Sequence, residues 1–194
     1  IEKYKCINHP DNNGLFLCNG NYYQKEFLQL SDLLSNNSDA DVVVSLLYEK
    51  IRINKTPDIS YKYIAITTSC HKILDSMISQ GFADKNDCIF LDNYISFENE
   101  KNINRILQEE NYILVCDAIS TGKLTTKVDN IISDRGSTLK IIATIANLLD
   151  ANFEDTSKFT EKFEGKFIYL YERQNKKLLK KDFNEDFNKR YSNG

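Results

Sequence analysis

An α/β fold in a single domain, with a parallel sheet flanked by helices, is predicted by two features of the sequence: its alternating segments and its composition. Short apolar strands alternate with helical segments between residues 61 and 149, which is typical of β-α-β units. Because such units place helices between parallel strands, we expect helices to cover both faces of the sheet. The chain has 194 residues, of which 41% are hydrophobic, so it can bury one core and we predict a single domain.

The N-terminal region precedes this alternation and has a different pattern. Residues 15–34 predict two short strands around a turn at Asn19-Gly20, because an Asn-Gly pair between apolar runs favours a hairpin. Residues 39–53 carry apolar residues at helical spacing, with Ser and Asp residues that suit an N-cap, and Pro57 follows this helix. The domain is therefore predicted in three parts: residues 1–55 with the hairpin and first helix, residues 56–175 with the α/β core, and residues 176–194 as a charged tail.

The α/β core is predicted from apolar runs and helical periodicity. The predicted buried strands are residues 61–67, 87–92, 112–117, 138–149 and 165–173. The predicted helices are residues 69–81, 98–110 and 124–136. Gly81 and Gly136 end the first and the third of these helices. Residues 175–194 are predicted to be a charged helix or a frayed end.

Composition excludes several classes of function. The net charge of −3 argues against a dedicated nucleic-acid binder, which normally has a basic face. No apolar stretch approaches the ~20 residues that a membrane span needs. The five cysteines, an odd number, suit a reducing cytosol, so we expect a cytoplasmic protein without membrane or nucleic-acid partners. Cys6, His9 and Cys18 lack the nearby fourth ligand of a structural zinc, so no metal ligand is predicted.

Three turns are candidate ligand sites, because ligands of open parallel sheets bind beyond the carboxyl ends of the strands. These turns are residues 67–71, 92–96 and 117–124. In the third turn the strand is predicted to end at Asp117, and a Ser-Thr-Gly-Lys segment at residues 120–123 leads into the next helix. This third turn carries the most chemical information.

The segment at residues 120–123 has the composition of a phosphate site. Gly122 lets the backbone approach a ligand closely, and the unpaired N–H groups of the following helical turn favour an anion. Ser120 and Thr121 add hydroxyl donors, and Lys123 adds a positive charge. The Walker A pattern fails at two of its four fixed positions, and the G-x-G-x-x-G pattern is absent. The sequence therefore predicts neither a P-loop NTPase nor a dinucleotide-binding domain.

The stretch ILVCDAISTGK, residues 113–123, resembles the phosphoribosyl-diphosphate signature of type I phosphoribosyltransferases. That signature has an apolar strand, two adjacent acidic residues, two or three small or apolar residues, and then Thr-Gly. The resemblance implies a Rossmann-like fold of this family, with Asp117 as a catalytic residue on the ribose side of the reaction. It also implies four ligands of the 5′-phosphate: Ser120, Thr121, Gly122 and Lys123.

Two further segments extend the resemblance over residues 15–150. The stretch at residues 64–77, IAITTSCHKILDSM, resembles the first strand, pyrophosphate loop and helix of the family. It implies four ligands of the diphosphate: Thr68, Ser69, Cys70 and His71. The predicted hairpin resembles the hood of orotate phosphoribosyltransferases. The family also implies Mg²⁺ bound with the substrate, a small-molecule substrate that is phosphoribosyl diphosphate or a nucleotide, and a homodimer as a frequent state.

The sequence departs from the family pattern in three places. Cys116 stands where the signature has its first acidic residue, and Leu124 replaces a later Thr. Residues 91–105 are net acidic where orotate enzymes carry a basic mobile loop. Two functions of this family therefore stay open, beside a Rossmann-like domain with unrelated chemistry. One is transfer of ribose 5-phosphate to a nitrogenous base, and the other is a catalytically impaired module that senses nucleotides or regulates another activity.

Simpler interpretations also apply to single residues. Asp117 could be a strand-end carboxylate that caps the following turn. His71 could be a packed or solvated side chain. Cys70 could be a reactive thiol, because the dipole at a helix N-terminus lowers the pKa of a thiol. The favoured interpretation of Cys70 is a small residue in a tight loop.

Overall fold

The computed structural model describes residues 7–8, 16–18, 22–24, 27–28, 30–91, 104–150, 154–173 and 177–179. The helices in these residues are α1 (Asn37–Asn54), α2 (Thr68–Ser79), α3 (Lys123–Asp134) and α4 (Glu154–Lys162). The first strands are β1 (Ile7–Asn8), β2 (Phe16–Cys18), β3 (Tyr22–Gln24) and β4 (Phe27–Leu28). The later strands are β5 (Lys62–Ala65), β6 (Cys88–Phe90), β7 (Asn111–Ile119), β8 (Thr138–Asn147), β9 (Phe167–Glu172) and β10 (Lys177–Leu179).

The central sheet has five strands in the order β6-β5-β7-β8-β9, and all four pairings are parallel. At its centre Leu114 of β7 pairs with Ile64 of β5 on one side and with Ile142 of β8 on the other. These three side chains are buried. The predicted α/β fold with a parallel sheet is therefore confirmed.

Helices cover both faces of this sheet and divide the core into two clusters. On one face, residues of α1 and α2 such as Leu47 and Leu74 pack with Val115 of β7. On the other face, residues of α3 and α4 such as Val128 and Phe159 pack against the alternate side of the same strands. Complete burial of each such side chain contributes about 1.5–3 kcal/mol. None of the helices in the described residues is long and apolar enough to cross a membrane.

Local signals located the ends of three helices well. The helix predicted at residues 39–53 is α1, and the Asn36 side chain accepts a hydrogen bond from the Asp39 N–H at 3.2 Å as its N-cap. The helices predicted to end at Gly81 and Gly136 are α2 and α3. Both glycines have positive φ, at 73° and 71° respectively, which favours glycine over other residues.

Two small antiparallel sheets lie outside the central sheet. Strands β2 and β3 pair as the hairpin predicted within residues 15–34, while the turn at Asn19-Gly20 lies outside the described residues. The other edge of β3 pairs with β10, and β1 pairs with β4. The prediction of a charged helix or frayed end is wrong at Lys177–Leu179, because pairing with β3 supplies this segment with backbone hydrogen bonds.

The helix predicted at residues 98–110 is wrong over residues 104–110, which form turns and bends, while its first part lies outside the described residues. Tertiary hydrogen bonds hold this backbone in a different path. The Leu107 N–H donates to the Tyr112 hydroxyl at 2.8 Å, and the Ser137 hydroxyl donates to the Leu107 carbonyl at 2.8 Å. Glu109 has a φ of 60°, which interrupts a right-handed helix. Helix α4 was not predicted.

Candidate phosphate site

The adjacent parallel strands β5 and β7 bring two of the three predicted turns together at one edge of the sheet. A cavity of about 200 Å³ lies between the turn at residues 67–71 and the loop at residues 120–123. Its described lining includes Thr67, Cys70, Cys116, Asp117, Ser120, Thr121, Gly122 and Lys123. Residues 92–96, the second of the three predicted turns, lie outside the described residues.

The loop at residues 120–123 leads directly into helix α3. Gly122 is the N-cap of this helix and has a φ of 71°. The Thr121 hydroxyl accepts a hydrogen bond from the Lys123 N–H at 3.5 Å, which shapes the turn. The Ser120 hydroxyl oxygen is buried and has no hydrogen-bond partner among the described residues. A hydroxyl in this state keeps its capacity to donate one hydrogen bond and to accept others.

Packing of helix α4 against the loop explains why residue 122 is glycine. A Cβ atom at Gly122 would collide with the ring of Phe159, which is only 2% exposed. The positive φ of Gly122 adds a second reason, because a side chain at this backbone conformation is strained. Phe159 was missed by sequence reasoning, since no periodic signal marked residues 150–164 as a helix.

Asp117 lies on the wall of the cavity but not at the end of its strand. Strand β7 continues past it, since Ala118 and Ile119 pair with Ala146 and Asn147 of β8. The prediction that the strand ends at Asp117 is therefore wrong, because β7 ends two residues later, at Ile119. The Asp117 carboxylate accepts a hydrogen bond from the Ala118 N–H at 2.8 Å, and the Cys70 sulfur lies 3.7 Å from the same oxygen, Oδ1.

The four predicted diphosphate residues are distributed around the start of α2. Of these four residues, only Cys70 is among the described residues that line the cavity. Thr68 is exposed and Ser69 is half-buried. The His71 side chain donates a hydrogen bond from Nε2 to the Leu91 carbonyl at 2.9 Å. This bond joins α2 to the residue that follows β6. Thr67, whose hydroxyl accepts from the Cys70 N–H at 3.3 Å, is the N-cap of α2.

Cys70 and Cys116 both line the cavity, and the pKa values of their thiols shift in opposite directions. The hydrogen bond from Cys116 lowers the pKa of the Cys70 thiol, although burial and the nearby Asp117 carboxylate oppose this shift. The same hydrogen bond, together with burial, raises the pKa of the Cys116 thiol well above its ordinary value. The Thr67 hydroxyl also donates to the Cys70 sulfur at 3.0 Å.

The donor set of the cavity does not fit a resident magnesium ion. Mg²⁺ prefers oxygen ligands in an octahedral arrangement, whereas Cys116 offers a soft sulfur at the place of the first acidic residue. Asp117 is the one carboxylate among the described lining residues. No group of three His, Cys, Asp or Glu side chains in the described residues could hold a metal ion.

The fold is that of type I phosphoribosyltransferases. The chain is similar to the UMP synthase of Leishmania donovani with 13% identity and a TM-score of 0.62, over 88% of this chain and 34% of that protein. It thus spans about a third of the length of that protein. It is also similar to the orotate phosphoribosyltransferase of Aeropyrum pernix, with 12% identity and a TM-score of 0.60, over 88% of this chain and 90% of that one.

A third similar structure is the adenine phosphoribosyltransferase of Trypanosoma brucei in complex with AMP, pyrophosphate and ribose-5-phosphate. Its identity to this chain is 12% and its TM-score is 0.62, over 88% of this chain and 77% of that one. No protein-family model matches the sequence, and no curated protein does. The predicted resemblance in fold is therefore confirmed by structure, at identities too low to transfer the activity.

Proposed function

We propose that this phosphoribosyltransferase-fold domain binds the 5′-phosphate of phosphoribosyl diphosphate, or of a nucleotide, at residues 120–123. The Ser120 hydroxyl carries this proposal, because its oxygen is buried just before α3 and has no hydrogen-bond partner among the described residues. An unpaired buried hydroxyl costs about 1–3 kcal/mol. A bound phosphate oxygen would remove this cost.

Each part of the loop has a role in phosphate binding. Ser120 would donate its hydroxyl hydrogen, and the N–H groups in the first turn of α3 would point at the anion. Gly122 keeps the backbone in its left-handed conformation, and the absence of a Cβ leaves room for the Phe159 ring. Thr121 holds the turn through its hydroxyl, and Lys123 supplies a positive charge. Hydrogen bonds to a charged ligand contribute about 1.5–3 kcal/mol each.

The enzymatic form of the proposal is transfer of ribose 5-phosphate from phosphoribosyl diphosphate to a nitrogenous base. The bond between the anomeric carbon and the diphosphate oxygen would break, and a bond from that carbon to a base nitrogen would form. Asp117, on the cavity wall, would stabilise the positive charge that develops on the ribose. The departing diphosphate would lie toward the start of α2, where four residues are the proposed ligands: Thr68, Ser69, Cys70 and His71.

A second candidate function, a nucleotide sensor without turnover, is favoured by one observation. Cys116 lines the cavity and stands where the resembled signature places an acidic residue next to Asp117. A thiol with a raised pKa stays neutral and cannot stabilise positive charge on a ribose as a carboxylate would. The loop at residues 120–123 does not depend on this position, so it would still bind a nucleoside monophosphate.

Calorimetric titration tests the proposal and separates its two forms. The full chain is titrated with phosphoribosyl diphosphate and with AMP, each with and without Mg²⁺. Saturable binding of phosphoribosyl diphosphate that requires Mg²⁺ supports the enzyme, and a screen of orotate, uracil and purine bases for turnover then follows. Binding of AMP without phosphoribosyl diphosphate supports the sensor. If neither ligand binds at millimolar concentration, the phosphate site is wrong.

Substitution of Asp117 tests the catalytic step by itself. If the domain is a transferase, Asp117→Asn is expected to lower turnover by on the order of 100-fold, because charge stabilisation in the transition state is lost. The matched control is Asp134→Asn, which neutralises an exposed acid at the far end of α3. Equal turnover in a folded Asp117→Asn variant would remove Asp117 from the mechanism.

A further inference from the structure

The Asp117 carboxylate is held by only one of its two oxygens. Oδ1 accepts a hydrogen bond from the Ala118 N–H at 2.8 Å, and the Cys70 thiol donates to the same atom at 3.7 Å. Neither of the hydrogen bonds that Asp117 accepts from the described residues ends on Oδ2. Asp117 is half-buried on the cavity wall, and its Oδ2 keeps the capacity to accept hydrogen bonds.

Cys70, the residue that contacts Oδ1 from α2, is itself fixed by Thr67. The Thr67 hydroxyl accepts a hydrogen bond from the Cys70 N–H at 3.3 Å and donates one to the Cys70 sulfur at 3.0 Å. Cys70 is also only 3% exposed and packs in the core cluster that α1 and α2 share with the sheet. A chain of contacts therefore runs from the N-cap of α2 to the carboxylate on β7.

We propose that Cys70 is a positioning residue for Asp117, whose Oδ2 accepts a hydrogen bond from a sugar hydroxyl of the ligand. Cys70 acts through Asp117 and does not touch the sugar itself. The sugar contact rests on the proposed function, because the ligand is the one whose phosphate lies at residues 120–123. The hydrogen bond between Cys70 and Asp117 forms without a ligand and has a test of its own.

The contact with Cys70 matters because an Asp side chain that can rotate must be ordered when a ligand binds. A binding group whose rotamer is already fixed by packing and hydrogen bonds avoids that cost. Without the Cys70 thiol, Oδ1 would keep only the bond from the Ala118 N–H. We therefore expect loss of the thiol to weaken the sugar contact and to leave phosphate binding unchanged.

The hydrogen bond to Asp117 requires a proton on the Cys70 sulfur. The hydrogen bond from Cys116 lowers the pKa of this thiol, whereas burial and the Asp117 carboxylate oppose the shift. A thiolate would repel the carboxylate instead of holding it. A protonated Cys70 at neutral pH is therefore the condition that must be measured first.

Infrared spectroscopy of the S–H stretch tests the hydrogen bond in the full chain without a ligand. Few other protein groups absorb in the region of this band, and donation to an oxygen moves it to lower frequency. We expect a Cys70 band at neutral pH that is absent in Cys70→Ser. In Asp117→Asn the band should move to higher frequency, because a neutral amide is a weaker acceptor than a carboxylate.

Cys88 provides the internal control for the spectra. Its thiol donates to the Asp84 carbonyl at 3.2 Å, so its band should not move in Asp117→Asn. The comparison with Asp117→Asn keeps the native Cys70, so it holds even if a Cys70 variant fails to fold. A missing Cys70 band, or a band that Asp117→Asn leaves unchanged, overturns the proposal.

Two nucleotides separate the sugar contact from phosphate binding: AMP, and 2′,3′-dideoxy-AMP, which lacks both ribose hydroxyls. In calorimetry, Cys70→Ala should weaken AMP binding by about three-fold, which is the low end for one hydrogen bond because Cys70 acts through Asp117. Binding of the dideoxy nucleotide should stay the same. Cys88→Ala, the matched variant on β6, should change neither affinity.

The two nucleotides also distinguish failure of this inference from failure of the proposed function. An equal loss for both nucleotides in Cys70→Ala would give Cys70 a purely structural role and overturn the inference. If the unaltered chain binds both nucleotides equally, Asp117 holds no sugar hydroxyl, while phosphate binding stands. If it binds neither, the proposed function fails and the sugar contact with it, and the infrared spectra still decide whether Cys70 holds Asp117.

Discussion

The two sides of the cavity differ in how their polar groups are used. At residues 120–123 the Ser120 hydroxyl is buried without a partner, and the first turn of α3 opens toward the cavity. At residues 67–71 the polar groups already have partners inside the protein. The Thr67 hydroxyl caps α2 and donates to the Cys70 sulfur, and His71 is bonded to the Leu91 carbonyl.

This difference shows that polar residues at a strand end are not equally available to a ligand. If an anion binds as proposed, the side with an unpaired buried donor would gain hydrogen bonds, whereas the other side would first have to break its own. We therefore expect substitutions at residues 120–123 to change ligand affinity, and substitutions at residues 67–71 to change mainly the stability of the fold.

The largest effect is expected from Gly122→Ala. The positive φ of Gly122 costs a side chain roughly 1–2 kcal/mol, and collision with the Phe159 ring costs roughly 1–3 kcal/mol more. Denaturant unfolding monitored by circular dichroism measures the loss of stability. Gly81→Ala is the matched control, because Gly81 has a similar φ of 73° and nothing within 4 Å of an added Cβ. Equal losses in both variants would remove Phe159 from the description of this loop.

A smaller effect is expected from Ser120→Ala, which should weaken AMP binding without lowering the stability of the fold. Removal of one hydrogen bond to a charged phosphate should weaken AMP binding by about ten-fold, or about 1.4 kcal/mol. The free energy of unfolding should stay the same or rise, because a buried unpaired oxygen is removed. Calorimetry and denaturant unfolding measure the two quantities. Ser133→Ala, an exposed serine at the far end of α3, is the control. A clear loss of stability with unchanged affinity would assign Ser120 a structural role.

The smallest effect on the ligand is expected from His71→Ala. Loss of the hydrogen bond to the Leu91 carbonyl and of the edge contact with Phe90 should lower the free energy of unfolding by about 1 kcal/mol. Affinity for AMP, which carries no diphosphate, should not change. A fall in AMP affinity as large as that of Ser120→Ala would show that the two sides of the cavity do not differ in the way described.

The parts of the fold that the sequence predicts are those with local signals. Apolar runs and closing glycines define β5, β7, α2 and α3, because each signal lies within its own segment. The turns at residues 104–110 and the pairing of β10 with β3 depend on residues far along the chain, such as Ser137 and Tyr23. No periodic pattern in those segments could have revealed such contacts.

In the candidate site, too, the features that lie within one segment were predicted, and the contacts between distant segments were not. The loop at residues 120–123 was predicted because its glycine, hydroxyls and lysine are contiguous in sequence. The shared position of Cys70 and Cys116 on the wall of one cavity was not predicted, since it depends on how the start of α2 lies beside β7. Phe159, which fixes the identity of position 122, also comes from a distant helix.

The most direct test of phosphate binding at residues 120–123 is an amide chemical-shift titration of the ¹⁵N-labelled chain with AMP. The N–H groups of this loop and of the first turn of α3 would contact the phosphate, so we expect the largest shifts from Ser120 to Leu124. Only smaller shifts are expected from Thr67 to His71. Saturable binding with its largest shifts elsewhere, or no shift in this loop at millimolar AMP, would contradict the proposed site.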